Sequence, residues 1–386
     1  MRFSISHIMA GATAVFVGYS SAVVLILEAV KSLNGSVALQ SSWLLALGLA
    51  MGLSSIILSW RYKAPILTAW STPGVALLII ALAGVSVAEA VGIFIFSSGL
   101  ILLSGLSGIS DRLLKYIPVE IAAAILAGIL LKFVLALVPA FDNQPLITAT
   151  LVIVYFVMRK LTPKLVFFWV LLAAVGLPVL TKQFDTSQLI VSAPDWVWVW
   201  PEFNFSLLVG VGIPLYVVTM VSQNLPGIMM LRSNGYAVSL SPLLRVTGLF
   251  GVIMAPLGVF AINLAAITAA ICQTTDADTD RNQRYKAAIA AGVFYIIAGL
   301  AGSLIVGLFL ALPTEATSAL AGLALLPVLA VNFRQAFSHE ETLLASVMAF
   351  IVTASGVNFL GINSSFWGLL IGLVGYYFLS NVGREK

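Results

Sequence analysis

The stretch Ala64-Pro65-Ile66-Leu67-Thr68-Ala69-Trp70-Ser71-Thr72-Pro73-Gly74 interrupts a segment that is otherwise apolar enough to cross a membrane. An apolar run from Val75 to Leu82 follows it. Thr72 is a good helix N-cap and Pro73 suits the first helical position. The sequence therefore predicts an extended segment that leads into a short helix, and the alternative is a packing kink in an ordinary helix.

A second stretch with the same layout lies in the other half of the chain. Ala255-Pro256 begins Leu257-Gly258-Val259-Phe260-Ala261-Ile262, with Asn263 as the candidate N-cap and a short helix from Leu264 to Ala270. Seven positions separate proline from cap in both stretches, and an offset of 191 positions aligns them. Seven extended residues at about 3.3 Å each reach well into a bilayer. Both short helices are therefore expected to begin near mid-membrane, where free N–H groups and the helix dipole favour an anion.

The composition of the whole chain is that of a membrane protein. Of its 386 residues, 61% are hydrophobic and 9% charged, against roughly 25% charged in a soluble domain, and the mean hydropathy is +1.09. Apolar runs close to the roughly 20 residues that cross a bilayer recur throughout. The predicted spans are Ile8–Val30, Trp43–Trp60, Pro65–Leu82, Val85–Leu106, Val119–Leu137, Leu146–Met158, Leu165–Leu180, Phe205–Leu231, Leu243–Ala255, Pro256–Cys272, Ala287–Leu312, Thr317–Val331, Thr342–Phe359 and Phe366–Leu379.

The basic residues predict how these spans are oriented, because Lys and Arg are enriched on the cytoplasmic side. With both termini in the cytoplasm, 16 of the 19 basic residues face that side. They are Arg2, Arg61, Lys63, Arg112, Lys115, Arg159, Lys160, Lys164, Arg232, Arg245, Arg281, Arg284, Lys286, Arg334, Arg384 and Lys386. Only Lys31, Lys132 and Lys182 face the opposite side. No basic segment with a cleavage site precedes the first span, which is therefore expected to be retained.

Seven spans in each half make the second half enter from the opposite side, which is the inverted-repeat arrangement of many secondary transporters. Residues 1–182 form the first predicted repeat and residues 204–386 the second. Residues 183–203 form an external connection with Trp196, Trp198 and Trp200 at headgroup depth. The predicted fold class is an all-α polytopic membrane protein of 14 segments, in which segments 3 and 10 each combine a short extended segment with a half-helix.

Polar side chains within the first and eighth spans are candidates to complete an anion site. The first span carries Tyr19-Ser20-Ser21 at its centre, and the eighth carries Gln223-Asn224 between Pro214 and Pro226. Amides are costly in hydrocarbon unless they are paired, which favours a functional role for Gln223 and Asn224. Close helix packing is the alternative reading of the two serines.

Three strings in these regions resemble the benzoate/proton symporter (BenE) family. They are Thr68-Ala69-Trp70-Ser71-Thr72-Pro73-Gly74, Ser222-Gln223-Asn224-Leu225-Pro226-Gly227 and Asn263-Leu264-Ala265-Ala266-Ile267-Thr268-Ala269-Ala270-Ile271-Cys272. The resemblance implies a fold similar to nucleobase permeases and sulfate-type anion transporters. It further implies short strands before the half-helices and a homodimer. A core of spans 1 to 4 and 8 to 11 would then move like an elevator against a gate of spans 5 to 7 and 12 to 14.

The resemblance also implies the substrate. Nucleobase permeases usually carry carboxylates on spans 8 and 10, where this chain has Gln223-Asn224 and Asn263. Amides and helix N-termini accept a ligand that brings its own carboxylate, and Trp70, with Tyr19 and Phe260, is suited to flank its aromatic ring. Packing is the alternative role of Trp70. The predicted substrate-binding residues are Tyr19, Ser20, Ser21, Thr68, Trp70, Ser71, Thr72, Gln223, Asn224, Phe260 and Asn263.

The sequence thus predicts proton-coupled uptake of benzoate or a similar small aromatic carboxylate across a bacterial inner membrane. Glu28 and Glu89 are the carboxylates nearest to the predicted site, although both fall near the outer surface, where a solvated end residue is the alternative. An uncoupled anion channel or exchanger, or a transporter of another organic anion, remains open. No enzyme motif, cofactor site, metal site or nucleic-acid-binding patch is apparent.

Overall fold

The computed structural model describes residues 3–108, 118–189, 192–357, 359, 362 and 364–382. Five of the basic residues used above to predict orientation, Arg2, Arg112, Lys115, Arg384 and Lys386, lie outside these ranges, as does the side chain of Lys164. The orientation of the termini therefore stays a prediction.

Helices dominate the described residues. In chain order the elements are α1 (Ile5–Ser32), α2 (Val37–Tyr62), β1 (Thr68–Trp70), α3 (Thr72–Ala81), α4 (Val87–Ser107), α5 (Val119–Leu135), α6 (Leu137–Asn143), α7 (Pro145–Leu161), α8 (Val166–Leu180), α9 (Phe205–Ser233), α10 (Leu240–Met254), β2 (Ile262–Leu264), α11 (Ile267–Cys272), α12 (Tyr285–Leu300), α13 (Gly302–Leu310), α14 (Thr314–Ala336), α15 (Glu340–Ser355) and α16 (Ser364–Val382).

The long helices confirm a polytopic membrane fold. Seven of the described helical segments are long and apolar enough to cross a bilayer, or eight if α12 and α13, which meet at 60°, form one bent span. Serine N-caps explain where several of them begin, since Ser4, Ser36 and Ser86 accept hydrogen bonds from the first turns of α1, α2 and α4. The total of 14 spans stays a prediction.

Segments 3 and 10 have the predicted design of a strand followed by a short helix. β1 and β2 pair antiparallel, with Thr68 opposite Leu264, Ala69 opposite Asn263 and Trp70 opposite Ile262. Each strand supplies the backbone partners that the other lacks, which is how non-helical backbone can be tolerated inside a membrane protein. The start of α3 lies beyond one end of this strand pair, and the start of α11 lies beyond the other.

The predicted N-caps of both half-helices are wrong. Ser71, not Thr72, caps α3, because its hydroxyl accepts the Gly74 N–H at 3.0 Å. Asn263 is the middle residue of β2, and α11 begins only at Ile267. The central strand residues Ala69 and Asn263 are related by 194 positions, not 191.

A turn in the second copy accounts for this difference. Residues Ala255–Leu257 form a single 3₁₀ turn, and Gly258 follows with φ +97°. The extended backbone therefore starts later after Pro256 than the matching proline spacing suggests. A side chain at Gly258 would collide with the Trp43 ring, so glycine is required there both for its backbone angle and for its lack of a side chain.

The helices pack as two groups that share few large contacts. In one group α2 packs along α12, α4 along α10, and α1 against α3, α11 and α12. In the other, α5 packs against α14 and α15, α15 against α16, and α7 against α8. The strand pair belongs to the first group, where β1 lies against α2 and β2 against α10.

Candidate functional site

An aromatic pair stands beside the start of α3. The Tyr19 ring on α1 and the Trp70 ring at the end of β1 lie 4.9 Å apart, with an interplanar angle of 69°. Both side chains are buried, at 7% and 5% exposure, and the Tyr19 hydroxyl has no hydrogen-bond partner in the described residues. The two predicted aromatic residues are therefore brought together, with an unpaired polar atom beside them.

The N-terminus of α3 immediately follows Trp70 in the chain. Ser71 uses its hydroxyl to cap this helix, while Thr72, the first helical residue, is half-buried and its hydroxyl has no partner among the described residues. With ten residues, α3 is long enough for an N-terminal dipole to favour a negative charge. The second half-helix, α11, has six residues where the sequence predicted seven, and it begins at Ile267, three residues later than the predicted start at Leu264.

Helix α9 is distorted where its polar residues lie. Two π-helical turns, Leu208–Gly212 and Met220–Asn224, interrupt it, and such turns occur frequently at functional sites. Gln223 is half-buried with no hydrogen-bond partner in the described chain. Asn224 is fully buried, and its Oδ1 accepts the Leu264 N–H at 3.0 Å. Asn224 thus holds β2 in place, and Gln223 is available to a ligand.

Several other predicted binding residues already have protein partners. The Thr68 hydroxyl donates to the Met51 carbonyl oxygen at 3.0 Å. It also lies 2.7 Å from the Ser54 hydroxyl. The Ser20 and Ser21 hydroxyls both donate to the Val17 carbonyl oxygen of their own helix. Thr68 therefore anchors β1 to α2, and both serines hydrogen-bond within α1.

Asn263 lies apart from the aromatic pair. Side chains alternate along a strand, and directly opposed residues share a face, so Asn263 and Ala69 project to one face and Trp70 to the other. The Asn263 side chain is fully buried, its Nδ2 donates to the Ala261 carbonyl oxygen, and its Oδ1 has no partner in the described residues. Ala261 itself has φ +44°, a rare angle for alanine.

Phe260 belongs to a different aromatic cluster. Its ring packs 5.9 Å from Trp43 and 5.5 Å from Phe94, and all three side chains are fully buried. Phe260 and Trp70 have no ring contact in the described structure. The cluster fixes the approach to β2, and stacking of Phe260 on a ligand stays an untested prediction.

The two candidate proton-coupling carboxylates are engaged near helix ends. Glu28 pairs with Lys31 at 2.8 Å in an exposed part of α1. Glu89 completes the capping box of α4 and accepts a hydrogen bond from Asn204 at 3.0 Å. Neither carboxylate contacts the aromatic pair in the described structure.

Tyr295 on α12 was not predicted from the sequence. Its ring lies 6.1 Å from Tyr19, and its hydroxyl lies near Thr268 on α11. Both residues face Gly18 on α1, where an added Cβ would make ordinary van der Waals contacts, 3.5 Å from Thr268 and 3.7 Å from the Tyr295 hydroxyl. The sequence does show a tyrosine within an apolar span at position 295. Its position beside Tyr19, however, depends on how α12 packs against α1.

Together these residues suit an amphipathic anion. The Tyr19 and Trp70 rings offer apolar faces, and the start of α3 offers the Thr72 N–H and a positive dipole end. Pro73 has no N–H, and Ser71 accepts the N–H groups of Gly74 and Val75. The Thr72 hydroxyl can supply a further hydrogen bond. Gln223 is a second half-buried polar group, on the π-helical turn that contacts β2. No cluster of three or more His, Cys, Asp or Glu that could hold a metal occurs among the described residues.

A family model, described as benzoate membrane transport protein (BenE), matches residues 1–378. The chain belongs to this family. Inner membrane protein YdcO of Escherichia coli is 41% identical over 383 residues, which cover 98% of this chain and 97% of that protein. The benzoate membrane transport protein of Acinetobacter baylyi is 37% identical over 386 residues, which cover 98% and 96%.

Solved structures confirm the fold predicted for this BenE chain. The overall structure of SLC26A9 matches with a TM-score of 0.64 at 12% identity over 97% of the chain. The chain spans about two thirds of that protein, 65% of its length. The transmembrane domain of the cyanobacterial bicarbonate transporter BicA matches with a TM-score of 0.61 at 13% identity, covering 97% of both chains. The fold is that of the inverted-repeat anion transporters, and the family is one of membrane transporters.

Proposed function

We propose that this protein takes up benzoate or a closely similar small aromatic carboxylate by proton-coupled secondary transport. The observation that carries the proposal is the 4.9 Å contact between Tyr19 and Trp70 directly before the N-terminus of α3. An aromatic ring would stack against this pair while its carboxylate meets the N–H and the hydroxyl of Thr72 at the positive end of the α3 dipole. The naming of the Acinetobacter baylyi relative as a benzoate transporter supports the same choice of substrate.

The amide at Gln223 favours a carboxylate ligand over one that lacks a negative charge. An uncharged amide can donate to a carboxylate without the repulsion that a second carboxylate would bring. Its half-buried side chain lies in the π-helical turn of α9, with no protein partner in the described residues. Thr72 would add a hydroxyl donor from the first turn of α3. Asn263 contributes less directly, because it projects to the other face of the strand pair.

Transport would proceed by an elevator-like motion between the two packed groups of helices. The group that contains β1, β2 and α1 to α4 would be the core, and the group that contains α5, α14 and α15 the gate. The repeats would be residues 1–182 and 204–386, joined outside by residues 183–203. We place the protein in a bacterial inner membrane with cytoplasmic termini, and we expect a homodimer.

Uptake in reconstituted liposomes tests the proposal. Labelled benzoate would be followed with an inward proton gradient, with the gradient collapsed, and in protein-free liposomes, because benzoic acid crosses lipid unaided. We expect protein-dependent accumulation that requires the gradient. Flux that ignores the gradient would instead support an uncoupled exchanger or channel, which is favoured by the engagement of Glu28 and Glu89 near helix ends. No flux above the control would exclude benzoate as the substrate.

A matched pair of amide variants tests the site. Gln223→Ala should weaken benzoate binding by about tenfold, as expected when a charge-assisted hydrogen bond of about 1.5 kcal/mol is removed. Asn332→Ala is the control, since Asn332 is half-buried on α14 and only donates to its own helix at Val328. Equal affinities in both variants would remove Gln223 from the site.

A further inference from the structure

An apolar crevice opens between the two groups of helices, next to the proposed site. It has a volume of about 570 Å³ and is lined from α1, α8, α12 and α13. Phe16, Leu171, Phe294 and Phe309 supply apolar surface, and no charged residue of the described ranges lines it. The crevice is thus within the range of about 300–1,000 Å³ that is usual for small-molecule sites.

The bend between α12 and α13 shapes this crevice. The two helices meet at 60°, and Ala301, which joins them, lines the cavity with a small side chain. On the other side, the Phe16 ring of α1 packs 5.4 Å from the Phe168 ring of α8. Phe16 and Phe168 are 39% and 36% exposed. In a membrane-spanning fold, these partly exposed rings would border the lipid.

The same crevice reaches the proposed site. Tyr19 and Ser20 both line it. The Ser20 hydroxyl is occupied within its own helix, but the buried Tyr19 hydroxyl has no partner in the described residues. The half-buried Thr13, which also lines the cavity, has no hydrogen-bond partner in the described residues either. An apolar cavity with unpaired hydroxyls on α1 matches an uncharged molecule that has an apolar body and one hydrogen-bonding group. A carboxylate would be excluded, because burying it without a cationic partner is costly.

We propose that this crevice is a second binding site, which takes the uncharged, carboxyl-protonated form of a small aromatic acid from the lipid and delivers it to Tyr19. The choice of an aromatic acid rests on the proposed function. A lipid acyl chain would fill the apolar part of the crevice but leave the Thr13 hydroxyl unpaired, whereas a carboxylic acid would pair it. An acid that enters in this form carries its own proton, so this step requires no titratable side chain.

Photolabelling of the protein in lipid nanodiscs tests the proposal. The probe is a diazirine derivative of benzamide, which is uncharged at every pH used, and benzoic acid is the competitor. We expect labelled peptides from α1 and from the α12–α13 bend. At one total concentration, benzoic acid should reduce this labelling at acidic pH and not at alkaline pH, because only the uncharged acid fits the crevice.

Two substitutions on the same bent pair of helices make the test specific. Ala301→Phe places a ring in the crevice and should reduce labelling at least about tenfold. Once that ring fills the space, the ring of the probe cannot enter without displacing protein atoms. Val293→Phe is the control, since Val293 is exposed on α12 and does not line the crevice. If Ala301→Phe does not fold, Ala298→Leu is the replacement variant. It fills only part of the same space, so it should reduce labelling relative to the unsubstituted protein, but by less than the tenfold expected for a ring.

The outcomes separate this proposal from the transport function. Labelling of the crevice without benzoate uptake would reject the function and keep the site. Benzoate uptake without crevice labelling, or labelling unchanged by Ala301→Phe, would reject the site and keep the function. Labelling that a photoinert phospholipid suppresses and benzoic acid does not would also overturn the proposal, since it would identify a lipid-chain site.

Discussion

Two adjacent amides on α9 differ in what surrounds them. The Asn224 side chain is buried, and its Oδ1 accepts the backbone N–H of Leu264 in β2. The neighbouring Gln223 is half-buried without a partner in the described residues. The π-helical turn that contains both residues shifts their directions relative to a regular helix. One amide therefore stabilises the strand, and the other is available to a substrate.

Removing the Asn224 amide should destabilise the protein. Asn224→Ala leaves the buried Leu264 N–H without its acceptor, which costs about 1–3 kcal/mol. A lower midpoint in a detergent thermal-unfolding assay would show this. Ser222→Ala is the control, because the Ser222 hydroxyl donates to Val218 within its own helix, and its removal leaves no buried N–H unpaired. Equal midpoints for both variants would contradict the strand-anchoring role of Asn224.

Residue chemistry indicated some members of the site and missed others. Trp70 and Tyr19 were predicted from their types and positions, and they do touch. Phe260 has the same chemistry but lies among Trp43 and Phe94. Tyr295 was missed because its position beside Tyr19 depends on how α1, α11 and α12 pack, and a single sequence contains no direct signal for such long-range contacts.

Helix α3 is the element on which the proposed recognition of a carboxylate depends. It begins at Thr72, directly after the Ser71 cap, and its first turn follows Trp70 without any intervening loop. Proline spacing located this element well because Pro65 and Pro73 act locally. The same spacing failed for α11, since the turn after Pro256 and the left-handed Gly258 shift everything that follows.

Two substitutions at Ser71 separate helix capping from anion binding. Ser71→Ala should lower stability by about 1 kcal/mol, because the Gly74 N–H loses its acceptor. Ser71→Asp can keep the cap but places a negative charge where the carboxylate would sit, which should reduce benzoate affinity at least about tenfold. Thermal unfolding and equilibrium binding measure the two effects. Undiminished benzoate binding by a folded Ser71→Asp variant would exclude the start of α3 as the carboxylate site.

Helices α2 and α12 approach each other closely enough to require glycine. A Cβ added at Gly52 would lie 2.6 Å from the Gly292 carbonyl oxygen, whereas one added at Gly99 on α4 would meet no atom of the described residues within 4 Å. Small residues permit such contacts between membrane helices. We expect Gly52→Leu to abolish monodisperse folded protein and Gly99→Leu to preserve it, as measured by size-exclusion chromatography. Similar elution of both variants would show that α2 can move away from α12.

At the scale of the whole molecule, the helix contacts follow the predicted repeat. The repeat relates span 2 to span 9 and span 4 to span 11. Span 2 contacts span 11 as α2 and α12, and the related pair, spans 9 and 4, make the equivalent contact as α10 and α4. The sequence could suggest the repeat because the matched proline spacing at Pro65 and Pro256 and the distribution of basic residues are visible in it. It could not identify which helices touch, since nearly uniform apolar surfaces give no pairing preference.

An elevator motion requires the two groups of helices to slide past one another. The Phe16 and Phe168 rings make a contact between them at 5.4 Å, while the Phe333 and Phe350 rings make a contact at 5.3 Å within the proposed gate. Replacing each pair by cysteines, in a chain whose buried Cys272 is replaced by alanine, allows a short bifunctional thiol reagent to join either pair. We expect cross-linking at positions 16 and 168 to stop uptake, and cross-linking at 333 and 350 to leave it unchanged.

Substrate binding distinguishes a trapped transporter from a damaged one. If the groups move as rigid bodies, the cross-link between positions 16 and 168 blocks the motion but leaves Trp70 and the start of α3 unchanged. Benzoate binding should then persist from whichever side the trapped site faces, and a cleavable reagent should restore uptake once it is cleaved. Full uptake with the cross-link in place would mean that α1 and α8 do not separate during transport. The crossing would then have to occur without relative motion at that interface, as in a channel.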